Sequence, residues 1–151
     1  MQTLSHLEIR TYEFPYTIAD KSFSGISRQA DFLIDGEPLG LTLQVLRPWS
    51  GRTRFEDARQ GIDRFVGELL GKEVPRNQFG TGRLVLFGCH CGCDYCGVIS
   101  CEVLKQGDSL LWRNIGHEGG TSIEQRIDLV AFDFHQYSAA IMDFVRTRRR
   151  S

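Results

Sequence analysis

All five cysteines of this chain fall within thirteen residues, in the run Gly88-Cys89-His90-Cys91-Gly92-Cys93-Asp94-Tyr95-Cys96-Gly97-Val98-Ile99-Ser100-Cys101. Strand-forming residues stand on both sides, Leu84-Val85-Leu86-Phe87 before and Val98 to Lys105 after. Two such arms around a Gly- and Cys-rich segment predict a β-hairpin with the cysteines at its tip. An odd number of cysteines fits poorly with a disulfide framework. Met1 to His6 lack the basic and apolar regions of a signal peptide, and no run approaches the roughly 18 apolar residues of a membrane helix. A cytoplasmic location is therefore expected, where thiols stay reduced and the cluster needs another purpose.

The rest of the chain reads as strands punctuated by turns. Leu7, Ile9 and Thr11 alternate with polar neighbours as in a half-buried strand, which Pro15 is expected to end. Residues 17–27 read as a loop, Arg28 to Ile34 as a second strand, Asp35-Gly36 as a hairpin turn, and Leu39 to Leu46 as a third strand. Thr53 and Glu56 form a T-x-x-E capping box. A helix is predicted from there, with Phe55, Ala58, Ile62, Phe65, Val66, Leu69 and Leu70 as its buried stripe and Gly71 as its C-terminal glycine. Lys72 to Gly82 is a polar loop. Val98 to Lys105, Ser109 to Gly116 and Ile127 to Phe132 complete a meander, with a turn at Gly107-Asp108. Asp133, with Gln136 at the matching position, caps a closing helix that buries Tyr137, Ile141, Phe144 and Val145. The order β-β-β-α-β-β-β-β-α has too few crossover helices for a parallel sheet. It predicts one α+β domain over residues 1–151, an antiparallel sheet of about six to seven strands with two helices.

Strand parity sorts the cysteines. Pairing Cys89 with Cys101 and Phe87 with Val103 gives one apolar face of Val85, Phe87, Cys89, Ile99, Cys101 and Val103, and makes Cys89 and Cys101 packing residues. Continuing through Gly107-Asp108 sets Glu102 opposite Arg113 and Val103 opposite Trp112. His117-Glu118 then returns beside Val98. Cys91, Cys93, Cys96 and His117 are thereby expected to meet, a Cys₃His set of the kind that closes around structural zinc. His90 is a substitute fourth ligand on the opposite face. Reduced structural thiols and a redox site are the competing readings. The thioredoxin form of the latter needs a helix after the first cysteine, whereas Val98-Ile99-Ser100 is strand-like.

Other chemistry is poorly represented. Gly80-Thr81-Gly82-Arg83 lacks the Gly-Lys-Ser/Thr of a phosphate loop, and no dinucleotide fingerprint is present. No Ser-His-Asp order or glycosidase-like carboxylate pair stands out, and Glu118 beside His117 has no nucleophile nearby. The net charge of −1 gives no overall pull toward nucleic acid or an anionic membrane, so the arginines at 146, 148, 149 and 150 read as a solvated helix end.

Three segments carry a resemblance. Gly88-Cys89-His90-Cys91-Gly92, with Cys96 five positions after Cys91, resembles the G-C-x-C-G-x-x-G-C run of a family of small uncharacterised bacterial proteins of actinomycete type. Phe132-Asp133-Phe134-His135-Gln136-Tyr137-Ser138-Ala139-Ala140 is similar to that family's F-D-x-x-Q-Y-x-x-A segment, and Phe32-Leu33-Ile34-Asp35-Gly36 to its early strand and turn. Tyr95 stands where the family tends to have glycine, and Cys93 and Cys101 fall outside the shared pattern. The resemblance supports the fold and implies no mechanism. The function expected is a protein-binding, immunity-type domain with a zinc-organised cysteine tip; the alternative is a thiol- or metal-dependent enzyme using that tip and His117.

Overall fold

The computed structural model describes residues 3–18, 23–43, 51–56, 61–89, 93–120 and 122–149. It is an α+β fold with two antiparallel sheets. The first contains β1 (Leu7–Ile18), β2 (Phe23–Ile34) and the two-residue β3 (Glu37–Pro38), followed by α1 (Leu39–Thr42). The second has the order β4-β5-β6-β7-β8, with β4 (Gly51–Arg52), β5 (Leu84–Cys89), β6 (Val98–Gln106), β7 (Ser109–Gly119) and β8 (Ser122–Asp133). Between β4 and β5 lies α2 (Ile62–Leu69), and α3 (Phe134–Arg149) closes the chain. The expected meander is present as β5 to β8. The single sheet and two helices are replaced by two sheets and three α-helices among the described residues.

A single apolar cluster joins both sheets and the helices. Phe32 of β2 meets Trp112 of β7 edge-on at 5.3 Å and Phe87 of β5 at 5.8 Å, which places the small sheet against the large one. Phe55 continues the aromatic chain to Phe65 of α2 and Phe144 of α3. Tyr137 is fully buried; its hydroxyl donates to the Leu69 carbonyl (2.7 Å) and accepts from Trp112 Nε1 (3.1 Å). A buried tyrosine needs such partners, and here they tie α3, α2 and β7 together.

The F-D-x-x-Q-Y stretch works as a joint. Phe132 is core, and Asp133 Oδ2 accepts the Gln136 N–H (3.0 Å) as expected of a helix cap. The Gln136 side chain does not return to the cap. Its amide accepts from Leu7 N–H (2.9 Å) and donates to the Leu7 carbonyl (2.6 Å), so it acts as one more rung beside β1. Two residues earlier, ahead of β1, Ser5 N–H bonds to the Ala131 carbonyl in a single parallel bridge onto β8.

Several expectations are corrected. Pro15 does not end β1, which pairs with β2 from Leu7↔Ile34 to Ile18↔Phe23 without a break. Leu7 uses its N–H and C=O on Gln136, away from β2. Alternate residues face the same way, so the missing N–H of Pro15 costs no rung. Most of the expected loop 17–27 is therefore strand; residues 19–22 lie outside the described residues.

The third strand, expected over 39–46, is only Glu37–Pro38, and the chain then makes the single turn of α1. Asp31 explains this. Its fully buried carboxylate accepts the N–H groups of Gly40 (2.7 Å) and Leu41 (3.3 Å), consecutive donors that an extended strand would aim to opposite sides. It also accepts the Phe32 N–H. Residues 44–46 lie outside the described residues.

The helix predicted from Thr53 is divided. Arg54–Glu56 forms a 3₁₀ turn, residues 57–60 with Ala58 lie outside the described residues, and α2 starts only after Gly61, which adopts φ +80°. The capping box does not form, because Glu56 Oε1 instead accepts from Ala30 N–H (3.0 Å) and Arg148 (2.7 Å). The C-terminus matches expectation: Gly71 at φ +74° bonds to Glu68 O and Lys72 to Gly67 O, the paired bonds of a Schellman ending.

Two measurements test this framework. Gln136→Leu leaves both Leu7 backbone groups without their partner and should lower unfolding free energy by about 2–3 kcal/mol in urea titrations. Burial raises the Asp31 pKa from 3.8 to about 6, outweighing its three N–H donors. The folded state thus binds this proton more tightly than the unfolded chain, so the Asp31 contribution is greatest below pH 4 and is lost as pH rises through about 6. The difference in melting temperature between the natural protein and Asp31→Asn should shift against the natural protein from pH 4 to pH 7; a constant difference would exclude this linkage.

Candidate functional site

β5 enters the cysteine region as a strand buried on both faces, Leu84 to Phe87 all in the interior. Its register on β6 differs from the expected one. Leu84 faces Cys101, Val85 faces Ser100 and Phe87 faces Ile99, with a bulge at Leu86. That bulge lets Leu86 and Phe87, consecutive residues, both join the core. Cys89 consequently lies far from Cys101 in the ladder. It pairs instead with Gly51 of β4 and is half-buried, while Cys101 is fully buried with its thiol pKa raised by desolvation. The packing role expected for Cys101 holds; the Cys89–Cys101 pairing does not.

The expected register assumed a tight hairpin, and the connection is longer than that. A 3₁₀ turn, Asp94–Cys96, sits between Cys93 and Gly97, with Cys96 N–H bonded to Cys93 O (3.3 Å) and Gly97 N–H to Asp94 O (2.9 Å). Gly97 adopts φ +99°, a conformation open mainly to glycine, and swings the chain into β6. Cys93 therefore precedes the turn and Cys96 closes it, Cys93 half-buried and Cys96 exposed.

The turn is anchored from below by the residue between its cysteines. Asp94, 1% exposed, pairs with the buried Arg54 guanidinium at 2.5 Å. Its other oxygen accepts the Gln78 N–H (2.8 Å), and its own N–H donates to Gln78 Oε1 (2.7 Å). Tyr95, 67% exposed, donates to the Gln78 carbonyl and meets Phe79 edge-on at 5.4 Å. The 72–82 loop and the cysteine turn thus hold each other.

A second polar cluster lies beneath that loop. Arg83 Nε donates to Ser100 Oγ (2.8 Å), and Nη2 donates to the carbonyls of Ser100 (3.0 Å) and Asn114 (2.5 Å). Ser100 Oγ donates to Glu118 Oε1 (2.9 Å), and Thr81 Oγ1 donates to Glu118 Oε2 (2.7 Å). Asn77 Nδ2 donates to the Arg83 carbonyl (3.0 Å) and Asn114 to Glu102. Asn114 adopts φ +53° at an irregular point in β7, a conformation asparagine tolerates better than most residues. Arg83, Ser100 and Glu118 are all buried, so this network fixes the loop rather than offering a reactive group to solvent.

His117 faces Ile99 in the ladder and is half-buried, with Val98 opposite Glu118, as expected. Glu102 also meets Arg113, and Val103 meets Trp112. The structure thus brings Cys93 and Cys96 together on one turn and places His117 on the strand neighbouring β6. Cys91 and His90 lie outside the described residues. Among the described residues, no three His, Cys, Asp or Glu side chains form a group that could hold a metal ion. No helix among them is long and apolar enough to cross a membrane.

Sequence reasoning missed Arg54, Gln78, Arg83, Asn77 and Thr81. A signal existed for part of this: the register that set Glu118 beside Val98 also places Ser100 on the same face, so a buried polar pair there could have been read. No local signal joined Arg54 to Asp94. Scans against protein-family models, curated proteins and solved structures return no match to this chain.

Asp94→Ala strips the carboxylate from a buried guanidinium and should cost about 3–5 kcal/mol in chemical denaturation. Because Asp94 also holds the turn, Cys96 should react faster with a thiol reagent under native conditions, an effect absent from a core variant of equal instability.

Proposed function

We propose that this chain is a protein-binding domain whose cysteine turn is organised by a structural zinc ion, with Cys91, Cys93, Cys96 and His117 as ligands. The observation that carries the reading is the anchored turn. One cysteine precedes and one closes a 3₁₀ turn followed by a positive-φ glycine, and the aspartate between them is locked to the body of the fold. A C-x-x-C-G turn of this form directs two thiolates to one cation, and Cys91 and His117 complete a closed Cys₃His set. His117 lies opposite Ile99, three residues beyond Cys96.

Tyr95 supports the binding half of the proposal. It is an exposed aromatic held against Phe79 and by its hydroxyl, so little side-chain entropy is lost when a partner covers it. Tyrosines restrained in this way are common anchors in protein interfaces.

Elemental analysis of protein purified without chelator tests the metal. About one zinc per chain is expected, lost together with thermal stability in Cys96→Ser. Metal-free protein of unchanged melting temperature would end the reading. A zinc with only three protein ligands and an exchangeable water would favour the enzyme alternative instead. For the partner, a photo-crosslinking amino acid at position 95, used in the native cell, should give one discrete adduct that Phe79→Ala diminishes.

A further inference from the structure

β1 is a long, regular strand with one side already paired to β2. Its other side carries the N–H and C=O groups of Leu7, Ile9, Thr11 and Glu13, by the alternation that aims Leu7 at Gln136. The β1–β2 ladder has no bulge to blunt this edge, and Pro15 interrupts it only beyond Glu13. Next to this edge runs a groove of about 510 Å³ between β1 and α3. Leu7 and Ile9 contribute from the strand, and Ala139, Ala140 and Phe144 line the helix side. The small Ala139 and Ala140 side chains leave room between helix and strand.

We propose that this groove takes an extended peptide segment of a partner protein, which adds as a strand to β1 from Ile9 onward and carries basic side chains. Two features support that occupant. The fold already docks an amide on this edge, since Gln136 makes both bonds of a strand rung with Leu7 and leaves the next rung at Ile9. A peptide strand repeats that pattern every two residues. The ionisable groups lining the groove are Glu8, Asp143 and His6, two carboxylates against one imidazole. Both carboxylates already meet arginines, Glu8 with Arg10 at 3.4 Å and Asp143 with Arg146 at 2.9 Å. These are solvent-exposed pairs, which basic residues of a partner can replace at little cost. Apolar side chains on one face of the peptide would lie against Ala139 and Phe144. The surface is separate from the cysteine turn and rests on the protein-binding reading only for the class of its partner.

The test is selection from a displayed library of random short peptides on the intact protein, with Ala139→Arg as the counter-bait. Ala139 is exposed, so its replacement blocks the groove without disturbing the core. Selected peptides should alternate apolar and basic residues. N-methylation of alternate amides in a synthesised winner should weaken binding by at least about tenfold, as should Ala139→Arg. Tyr95→Ala should leave this affinity unchanged, which separates failure here from failure of the cysteine-turn reading. No enrichment over the counter-bait, or affinity indifferent to N-methylation, overturns the proposal. So does a concentration-dependent dimer by sedimentation that Ala139→Arg abolishes, which would make a second copy of this chain the occupant.

Discussion

Where the edges of the two sheets meet, beside the shared apolar core, a side-chain amide carries the hydrogen bonding across. Ser5, just ahead of β1, makes one backbone rung to Ala131 of β8 before β8 turns into α3. At that point the ladder would end with Leu7 unsatisfied. Gln136, on the first turn of α3, supplies the next rung from its side chain. Asp133 makes this possible by capping the helix, which fixes where Gln136 stands. Tyr137, the next residue, is drawn into the core against Trp112 and Leu69. Asp133, Gln136 and Tyr137 thus couple helix start, sheet joint and core, which gives the F-D-x-x-Q-Y segment a structural explanation.

Ion pairing follows the same economy. Burying a guanidinium is costly unless its partners are close and its hydrogens are bonded. Arg83 meets this condition by lying across Ser100 and Asn114 near Glu118, and Arg54 pairs with Asp94. The first fastens irregular chain to β6 and β7, and the second ties two 3₁₀ turns to each other. The 72–82 loop has few apolar residues to bury, and the cysteine turn has little regular secondary structure. Charged anchors supply the fixed geometry that packing alone would not, and this rigidity underlies the case for a displayed Tyr95 and a preset pair of thiols.

Local chemistry was legible where both partners of an interaction lie close in the chain. The Asp35-Gly36 turn forms with both residues at positive φ, and the Gly107-Asp108 turn fixes the β6–β7 register. Because that turn is only two residues, the matching of Glu102 with Arg113 and Val103 with Trp112 could be counted outward from it. The β5–β6 register offered no such anchor. Its connection is long, and a bulge at Leu86 shifts the count, so apolar faces matched equally well in the wrong alignment.

By itself the sequence determined the antiparallel α+β class, the meander, the buried stripe of α3 and its cap, since alternation, turn residues and capping act over a few positions. Only the tertiary structure decided that Pro15 could stay inside a strand, that Leu39 to Thr42 would coil instead of pairing, and that Asp94 would sit buried between two cysteines. Each outcome hangs on a group distant in the chain or on a strand edge: Asp31 for α1, Arg54 for the cysteine turn, the open side of β1 for Pro15. A carboxylate that gathers two consecutive backbone donors outweighs β-propensity worth at most about 1 kcal/mol, and nothing within the local segment announces it.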